Sequence, residues 1–166
     1  MPADVIPART RLPNSNSVNT SALATAGVAM AFIGKAPKTG TIDRILACKN
    51  SSSTGMNVYG RLETVSGDLP SGTLIHANAH GSVACSGGAN TVQTITLAAG
   101  ISVTKGDVIA AVVYGETNGS AHNFYRQATS GLFDNMPNSA GGMPAIRVNT
   151  SFSAGSGSGW TNGGAG

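Results

Sequence analysis

The run from Ala36 to Tyr114 constrains the fold more than any other part of this chain. Short stretches of apolar and β-branched residues alternate there with clusters of Gly, Ser, Asn and Pro, and no helical period intervenes. Short strands at this spacing, each closed by a turn signal, are typical of antiparallel β-sandwiches. We therefore predict an all-β fold in which two antiparallel sheets pack face to face.

Alternation within the runs predicts which residues share a face of a strand. In the strand expected over Thr41 to Lys49, Ile42, Leu46 and Cys48 fall on one face and Ile45 on the other. Because one face of a sandwich strand is buried, this pattern divides the apolar residues between the core and the outside.

Turn-forming residues predict how the strands connect. The nearly continuous apolar run Val108 to Tyr114 is typical of a central strand buried on both faces. The dipeptide Asn118-Gly119 predicts a hairpin that pairs this run with His122 to Gln127. A turn is predicted over Asp68 to Gly72, and the stretch from Asn78 to Asn90 is predicted to be a Gly-rich loop.

Composition divides the chain into three parts. Residues 1–23 form an extended N-terminal arm, because three prolines oppose helix and a polar stretch follows them. Residues 24–152 form the β-sandwich domain. Residues 153–166, "SAGSGSGWTNGGAG", have the composition of a flexible Gly/Ser-rich linker or tail.

Four residues in these flanking parts are candidate contacts to a partner protein. Arg9, Arg11 and Leu12 lie in the arm, which we expect to order by lying across a neighbouring subunit; the alternative for the two arginines is two solvated charges. Trp160 is a lone aromatic residue within the tail, so it is a candidate anchor on a partner surface, with packing inside the tail as the alternative.

The charge pattern narrows the class of partner. Only 10% of residues are charged and the net charge is +3, with basic residues scattered rather than clustered. This pattern argues against nucleic acid as a partner. A surface of small neutral polar groups suits a packed assembly, because neighbours that press against it desolvate few charges.

The sequence also gives no indication of a membrane span or a secretory signal. The longest apolar run, Gly27 to Gly34, is too short to cross a bilayer, and the N-terminus lacks the pattern of a secretory signal. We expect synthesis in a cytoplasm and no membrane partner.

Motifs for catalysis and metal binding are not apparent. The chain has no G-x-S-x-G, no phosphate-binding glycine motif and no marked carboxylate pair, so we expect no enzymatic activity and no cofactor. His76, His80 and Cys85 share one stretch but lack the spacing of a structural zinc site, which favours loop histidines and no metal. Cys48 and Cys85 are either a disulfide across the sandwich or two buried thiols.

Aromatic residues leave a carbohydrate-binding role open. A sugar-binding sandwich needs exposed aromatic side chains beside polar groups, and Phe124 and Tyr125 follow the predicted hairpin so that one ring points outward. These two are the candidate glycan contacts, and packing in the core is their alternative role. The other aromatic candidates are Tyr59, Tyr114, Phe133 and Trp160.

Three segments resemble a module of tailed-bacteriophage particle proteins. They are "APKTGTIDRI", "GRLETVSGDLPSGTL" and "TITLAAGISVTKGDVIAAVVY". The recurrent features fall at Lys38 to Thr41, at Arg61 to Val65 with Pro70 to Gly72, and at Val103 to Asp107. The opening "ARTRLPNSNSVNTSALA" is similar to the lead-in of that module, and the likeness covers about two-thirds of the chain.

This resemblance implies a jelly-roll-like β-sandwich in a virion and transfers no catalytic residue. It leads us to expect a non-enzymatic structural protein, either a capsid decoration or head-fibre protein or a tail-fibre anchor. Its expected partners are major capsid or tail proteins and further copies of itself, with a trimer as one possibility. The alternative is a carbohydrate-binding or host-adhesion module.

Overall fold

The computed structural model describes residues 18–22, 28–50, 54–115, 123–127, 145–149 and 153–162. Within these residues the regular structure consists of strands. They are β1 (Val18–Ala22), β2 (Ala29–Lys35), β3 (Gly40–Lys49), β4 (Asn57–Ser66), β5 (Leu69–Leu74), β6 (His80–Ala84), β7 (Thr91–Val103), β8 (Val108–Gly115), β9 (Asn123–Gln127), β10 (Ala145–Asn149) and β11 (Trp160–Asn162).

The strands form two antiparallel sheets. The four-stranded sheet has the order β1-β9-β3-β7, and the seven-stranded sheet has the order β11-β10-β2-β8-β4-β5, with β6 also paired to β4. Each pair of neighbouring strands in these sheets is antiparallel. The prediction of an all-β fold is confirmed, and the two packed sheets are consistent with a β-sandwich.

The main core lies between the two sheets. Ile45 of β3 and Ile95 of β7 pair directly and face the other sheet. A Cβ added to Gly60 of β4 would lie 3.0 Å from the Ile45 side chain and 3.1 Å from that of Ile95. Glycine at this position therefore allows the sheets to approach closely over the two isoleucines. The buried members of this core are Ile45, Ala47, Met56, Val58, Leu62, Ala79, Cys85, Ile95, Leu97, Ile101, Val113 and Phe124.

A second core lies on the outer face of the seven-stranded sheet. Its buried members come from β2, β8 and β11: Ala29, Ala31, Ile33, Ala110, Val112 and Trp160. β8 lies between β2 and β4 and contributes to both cores. The prediction that the run Val108 to Tyr114 is a central strand is therefore confirmed.

The hairpin predicted at Asn118-Gly119 is wrong. β8 pairs with β2 and β4, whereas β9 pairs with β1 and β3 in the other sheet. Both edges of β8 are thus occupied by strands distant in sequence. An Asn-Gly dipeptide favours a local turn, but it does not determine which strands lie beside each other. The dipeptide itself lies outside the described residues.

The structure differs from two further local predictions, a turn and a loop. The tight turn between β4 and β5 falls at Gly67 and Asp68, which have φ of +55° and +62°. Pro70, which lies within the predicted turn, is instead in β5 opposite Val65. The stretch predicted as a Gly-rich loop contains β6, which lies beside β7.

An irregular register between β3 and β7 changes which way one residue of β3 faces. The register between β3 and β7 shifts between Ile42 and Arg44. Ile42 therefore packs against the main core with Ile45, whereas simple alternation had placed it beside Leu46. Ile42 pairs with Ile101 and Arg44 with Thr96, so β7 advances five residues where β3 advances two, and simple alternation does not hold across this irregularity.

The flanking segments contribute strands to the sheets. β1 lies within the predicted arm and pairs with β9, and β11 lies within the predicted tail and pairs with β10. The division at residues 23 and 152 stays a prediction, because residues 1–17, 23–27 and 163–166 and those around 152 lie outside the described residues.

Candidate functional site

An exposed apolar patch lies on the outer face of the four-stranded sheet. Leu46 is 62% exposed and Val92 is 58% exposed. Cys48 lies directly opposite Val92 and two residues along β3 from Leu46, so the three residues form one surface, here called the β3–β7 patch. Thr94 lies opposite Leu46 on the same face. The patch is therefore apolar at its centre and neutral along its β7 side.

An ion pair lies at one end of this face. Asp43 and Arg44 are both exposed, and Arg44 Nη2 lies 2.8 Å from Asp43 Oδ2. The hydrogen bond from Arg44 lowers the pKa of Asp43, so both groups carry their charge over most of the pH range. A solvent-exposed pair of neighbours in sequence contributes little to stability.

An apolar cleft opens between the two sheets beside β2 and β3. Among the described residues it has a volume of about 660 Å³. Phe32, which is 52% exposed, lies along it, and Lys35, Lys38 and Arg44 are among its lining residues. The cleft thus combines apolar walls with cationic groups, and the exposed Phe32 ring enlarges the apolar surface of this side of the molecule.

Trp160 is packed inside its own chain. Its side chain is 7% exposed and belongs to the second core, against the alanines and branched residues of β2 and β8. Its strand, β11, pairs with β10 at Asn149. The structure therefore provides the local core that the composition of the segment did not indicate, and little of the indole is left for a partner.

Close backbone contacts position the segment that leads to Trp160. A Cβ on Gly72 would lie 2.5 Å from the carbonyl carbon of Ser156, and a Cβ on Gly157 would lie 2.5 Å from the carbonyl oxygen of Ser71. Gly72 also has a φ of +81°, which favours glycine. Residues 155–157 therefore lie directly against β5, and glycine at both positions makes this contact possible.

A buried ion pair lies beneath the same contact. Arg61 Nε lies 2.7 Å from Glu63 Oε1. Arg61 Nη2 donates to the Gly72 carbonyl at 2.8 Å, and the Gly72 N–H donates to Glu63 Oε2 at 2.8 Å. Burial raises the pKa of Glu63, while the Gly72 hydrogen bond and Arg61 act to lower it. The pair holds β4, β5 and, through Gly72, the C-terminal segment in a fixed arrangement.

A groove with two tyrosines lies over β4, β6 and β8. Tyr59 and Tyr114 are directly opposite each other, and their rings stack with centroids 5.3 Å apart. The groove has a volume of about 450 Å³ and is lined by Tyr59, Arg61, Leu74, His80, Gly81, Ser82, Thr96, Ala98 and Tyr114. Its combination of stacked aromatic rings with a few polar side chains is typical of a small-ligand site.

The residues considered as metal ligands do not come together. The Nδ1 atom of His76 accepts a hydrogen bond from the Asn78 N–H at 3.1 Å, His80 is exposed, and Cys85 is buried in the main core. No group of three metal-ligating side chains occurs among the residues that the structure describes. Cys48 and Cys85 are free thiols rather than a disulfide; Cys85 is buried, whereas Cys48 is half-exposed.

Lys49 is a buried cation with a structural role. Its Nζ donates to the carbonyl oxygens of Ser86 at 3.2 Å and Gly87 at 2.9 Å. Gln93 closes the same loop, because it accepts from the Ser86 N–H and donates to the Ser86 carbonyl, both at 3.1 Å. These bonds hold the loop between β6 and β7.

The remaining predicted contact residues have different outcomes. Phe124 is fully buried in the main core, so the expectation that it contacts a glycan is corrected. Its register opposite Lys49 turns it toward the core.

Tyr125 lies in β9, but its side chain is outside what the structure describes, as are Arg9, Arg11 and Leu12. Partner binding by those three residues and glycan contact by Tyr125 stay predictions. The sequence indicated Tyr59 and Tyr114 only as two of several aromatic candidates, since their pairing depends on strand register.

Comparisons with known proteins do not assign the chain to a family. No protein-family model, curated protein or solved structure matches it. No helix of the described part of the chain is long and apolar enough to cross a membrane.

Proposed function

We propose that this protein is a non-enzymatic structural protein of a tailed-bacteriophage particle. It docks on the particle as a capsid decoration or head-fibre protein, or as a tail-fibre anchor, and the first of these is preferred. Its partners are major capsid or tail proteins and further copies of itself, in a cyclic oligomer such as a trimer. It is synthesised in the cytoplasm of the bacterial host and resides in the virion.

The observation that carries this proposal is the β3–β7 patch. Two large apolar side chains, Leu46 and Val92, are more than half exposed on a sheet face whose neighbouring residues include threonines. A contiguous patch of exposed apolar side chains often marks a surface that binds another protein. A flat, weakly charged face suits burial against a neighbouring protein, because few charges lose their hydration.

The strand connections and the sequence motifs support the same proposal. Successive strands change sheet at β1–β2, β2–β3, β3–β4, β6–β7, β7–β8, β8–β9 and β9–β10, as in Greek-key sandwiches. We therefore propose that the sandwich is jelly-roll-like. The resemblance of three segments to phage particle proteins adds the virion setting.

The docking face is tested by adding charge to the patch. Leu46→Arg and Val92→Arg place a cation at the centre of the proposed contact without touching the core. We expect both variants to fold normally and to be lost from particles assembled in their presence, because a buried unpaired charge opposes association. Ser66→Arg adds the same charge at an exposed position of β4 and should be retained. Normal incorporation of both patch variants would rule out this face.

A carbohydrate-binding or host-adhesion module is the second candidate function. It is favoured by one observation, the groove that contains the stacked pair Tyr59 and Tyr114 beside polar side chains. The groove is centred on Tyr59 and Tyr114 and the patch on Leu46 and Val92, and the two share no residue, so one protein can carry both.

A further inference from the structure

The tyrosine pair is held by the register of two central strands. Tyr59 of β4 and Tyr114 of β8 are cross-strand partners, with ring planes 16° apart and centroids separated by 5.3 Å. Both side chains are half-buried. Cross-strand aromatic pairs on one face of a sheet support each other and fix the orientation of the rings. The rings are therefore pre-positioned, and binding against them needs little ordering of side chains.

A close approach of β6 to β7 forms the opposite side of the groove. A Cβ on Gly81 would clash with the carbonyl oxygen of Thr96, so a side chain there would separate the two strands. Because residue 81 is glycine, Thr96 and Ala98 of β7 come within the same groove as Ser82 of β6. These three residues are exposed.

The polar groups of the groove suit a ligand rich in hydroxyls. Ser82 lies opposite Tyr59, and His80 lies opposite Arg61. Hydroxyl groups donate and accept, a neutral imidazole does both through its two nitrogens, and a guanidinium donates. Arg61 is held in place by Glu63 and the Gly72 carbonyl, so its position is set before a ligand arrives.

The charge in the groove favours a neutral ligand. Arg61 is the one permanently charged side chain among the lining residues, and the carboxylate of Glu63 lies 2.7 Å from its Nε. The paired charges leave no net attraction for an anionic group. A volume of about 450 Å³ lies within the range of about 300–1,000 Å³ that is usual for small-ligand pockets.

We propose that this groove binds a sugar ring of a neutral oligosaccharide. A pyranose ring presents an apolar C–H face and a rim of hydroxyls, which match the tyrosine rings and the Ser82, His80 and Thr96 side chains, respectively. This inference gives the second candidate function a site and a ligand class, and it does not depend on the β3–β7 patch.

The test begins with a glycan array and continues with titration of the strongest neutral oligosaccharide by calorimetry. Tyr59→Ala removes one ring of the pair, and we expect binding to weaken by about tenfold or more. Ala98→Trp fills the groove from an exposed position and should abolish binding while the melting temperature is kept. If Tyr59→Ala fails to fold, the binding measured for Ala98→Trp alone tests the proposal.

Phe32→Ala is the matched control, since it removes an exposed aromatic ring from β2, outside the groove. It should leave binding unchanged. Three results would overturn the inference: no neutral glycan bound by the wild type, unchanged binding by Ala98→Trp, or loss of binding on Phe32→Ala with Tyr59→Ala unaffected. Incorporation into particles should be the same for Ala98→Trp and the wild type, so failure of the groove is distinguishable from failure of the docking proposal.

Discussion

The C-terminal segment provides the sharpest test of the structure, because composition predicts a flexible tail there and the structure places it in a core. Trp160 is 7% exposed and packs on the outer face of the seven-stranded sheet. If the segment were a free tail, Trp160→Ala would not change stability. If it is part of the second core, the substitution removes one of that core's largest side chains.

The expected loss follows from the buried area. A buried Trp hides about 200 Å² of surface, which at about 25 cal/mol per Å² corresponds to about 5 kcal/mol. A compact unfolded state already hides part of this area, which reduces the loss to about 3 kcal/mol. For a chain of this length, that loss lowers the melting temperature by about 6–12 °C.

Thermal unfolding followed by circular dichroism measures this difference. Trp160→Phe keeps much of the buried ring and should cost about 1 kcal/mol. Leu46→Ala removes a side chain that is 62% exposed and should change stability by less than about 0.5 kcal/mol. Equal melting temperatures for Trp160→Ala and Leu46→Ala would refute the placement of the C-terminal segment.

Three further predictions concern the interior of the molecule. Gly72→Ala should lower the free energy of unfolding by about 2 kcal/mol or more, because its Cβ would meet backbone atoms at 2.5–2.7 Å. Gly106→Ala, with a φ of +96° and open space around it, should lower it by only about 1 kcal/mol. Urea denaturation measures both. Burial raises the pKa of Glu63, so the folded state holds the proton more tightly than the unfolded state. The stability contributed by the protonated carboxyl is present below its ordinary pKa and is lost as the pH rises through the folded pKa. Wild-type protein should therefore lose unfolding free energy relative to Glu63→Gln as the pH rises, and the opposite slope would show that the ion pair dominates. A maleimide should label the half-exposed Cys48 in the native protein and reach Cys85 only on unfolding, since Cys85 is buried and its pKa is raised; equal native labelling would contradict this.

Local patterns in the sequence predicted the features that depend on one strand at a time. The apolar run of β8 indicated a central strand, and the alternation of β3 correctly placed Ile45 on the face opposite Leu46 and Cys48. Each of these depends on the two-residue period of a strand and on burial. The class of fold follows from many such runs together.

Features that depend on contacts between distant segments could not be predicted. Glycine is required at positions 72 and 157 only because β5 and the C-terminal segment are in contact. Composition alone predicted a linker for that segment. Phe124 is in the core because β9 joins the sheet of β3, which the Asn-Gly turn signal did not indicate. The tyrosine groove likewise arises from the register of β4 with β8 and from the approach of β6 to β7.

The proposed virion role is tested most directly by mass spectrometry and cryo-electron microscopy of purified particles from a lysate of the host. We expect this chain to be present at a copy number that matches the shell lattice, with the face that carries Leu46 and Val92 toward a capsid protein. A few copies at a vertex or tail would instead indicate a fibre protein or anchor. Absence of the chain from particles would contradict the structural role.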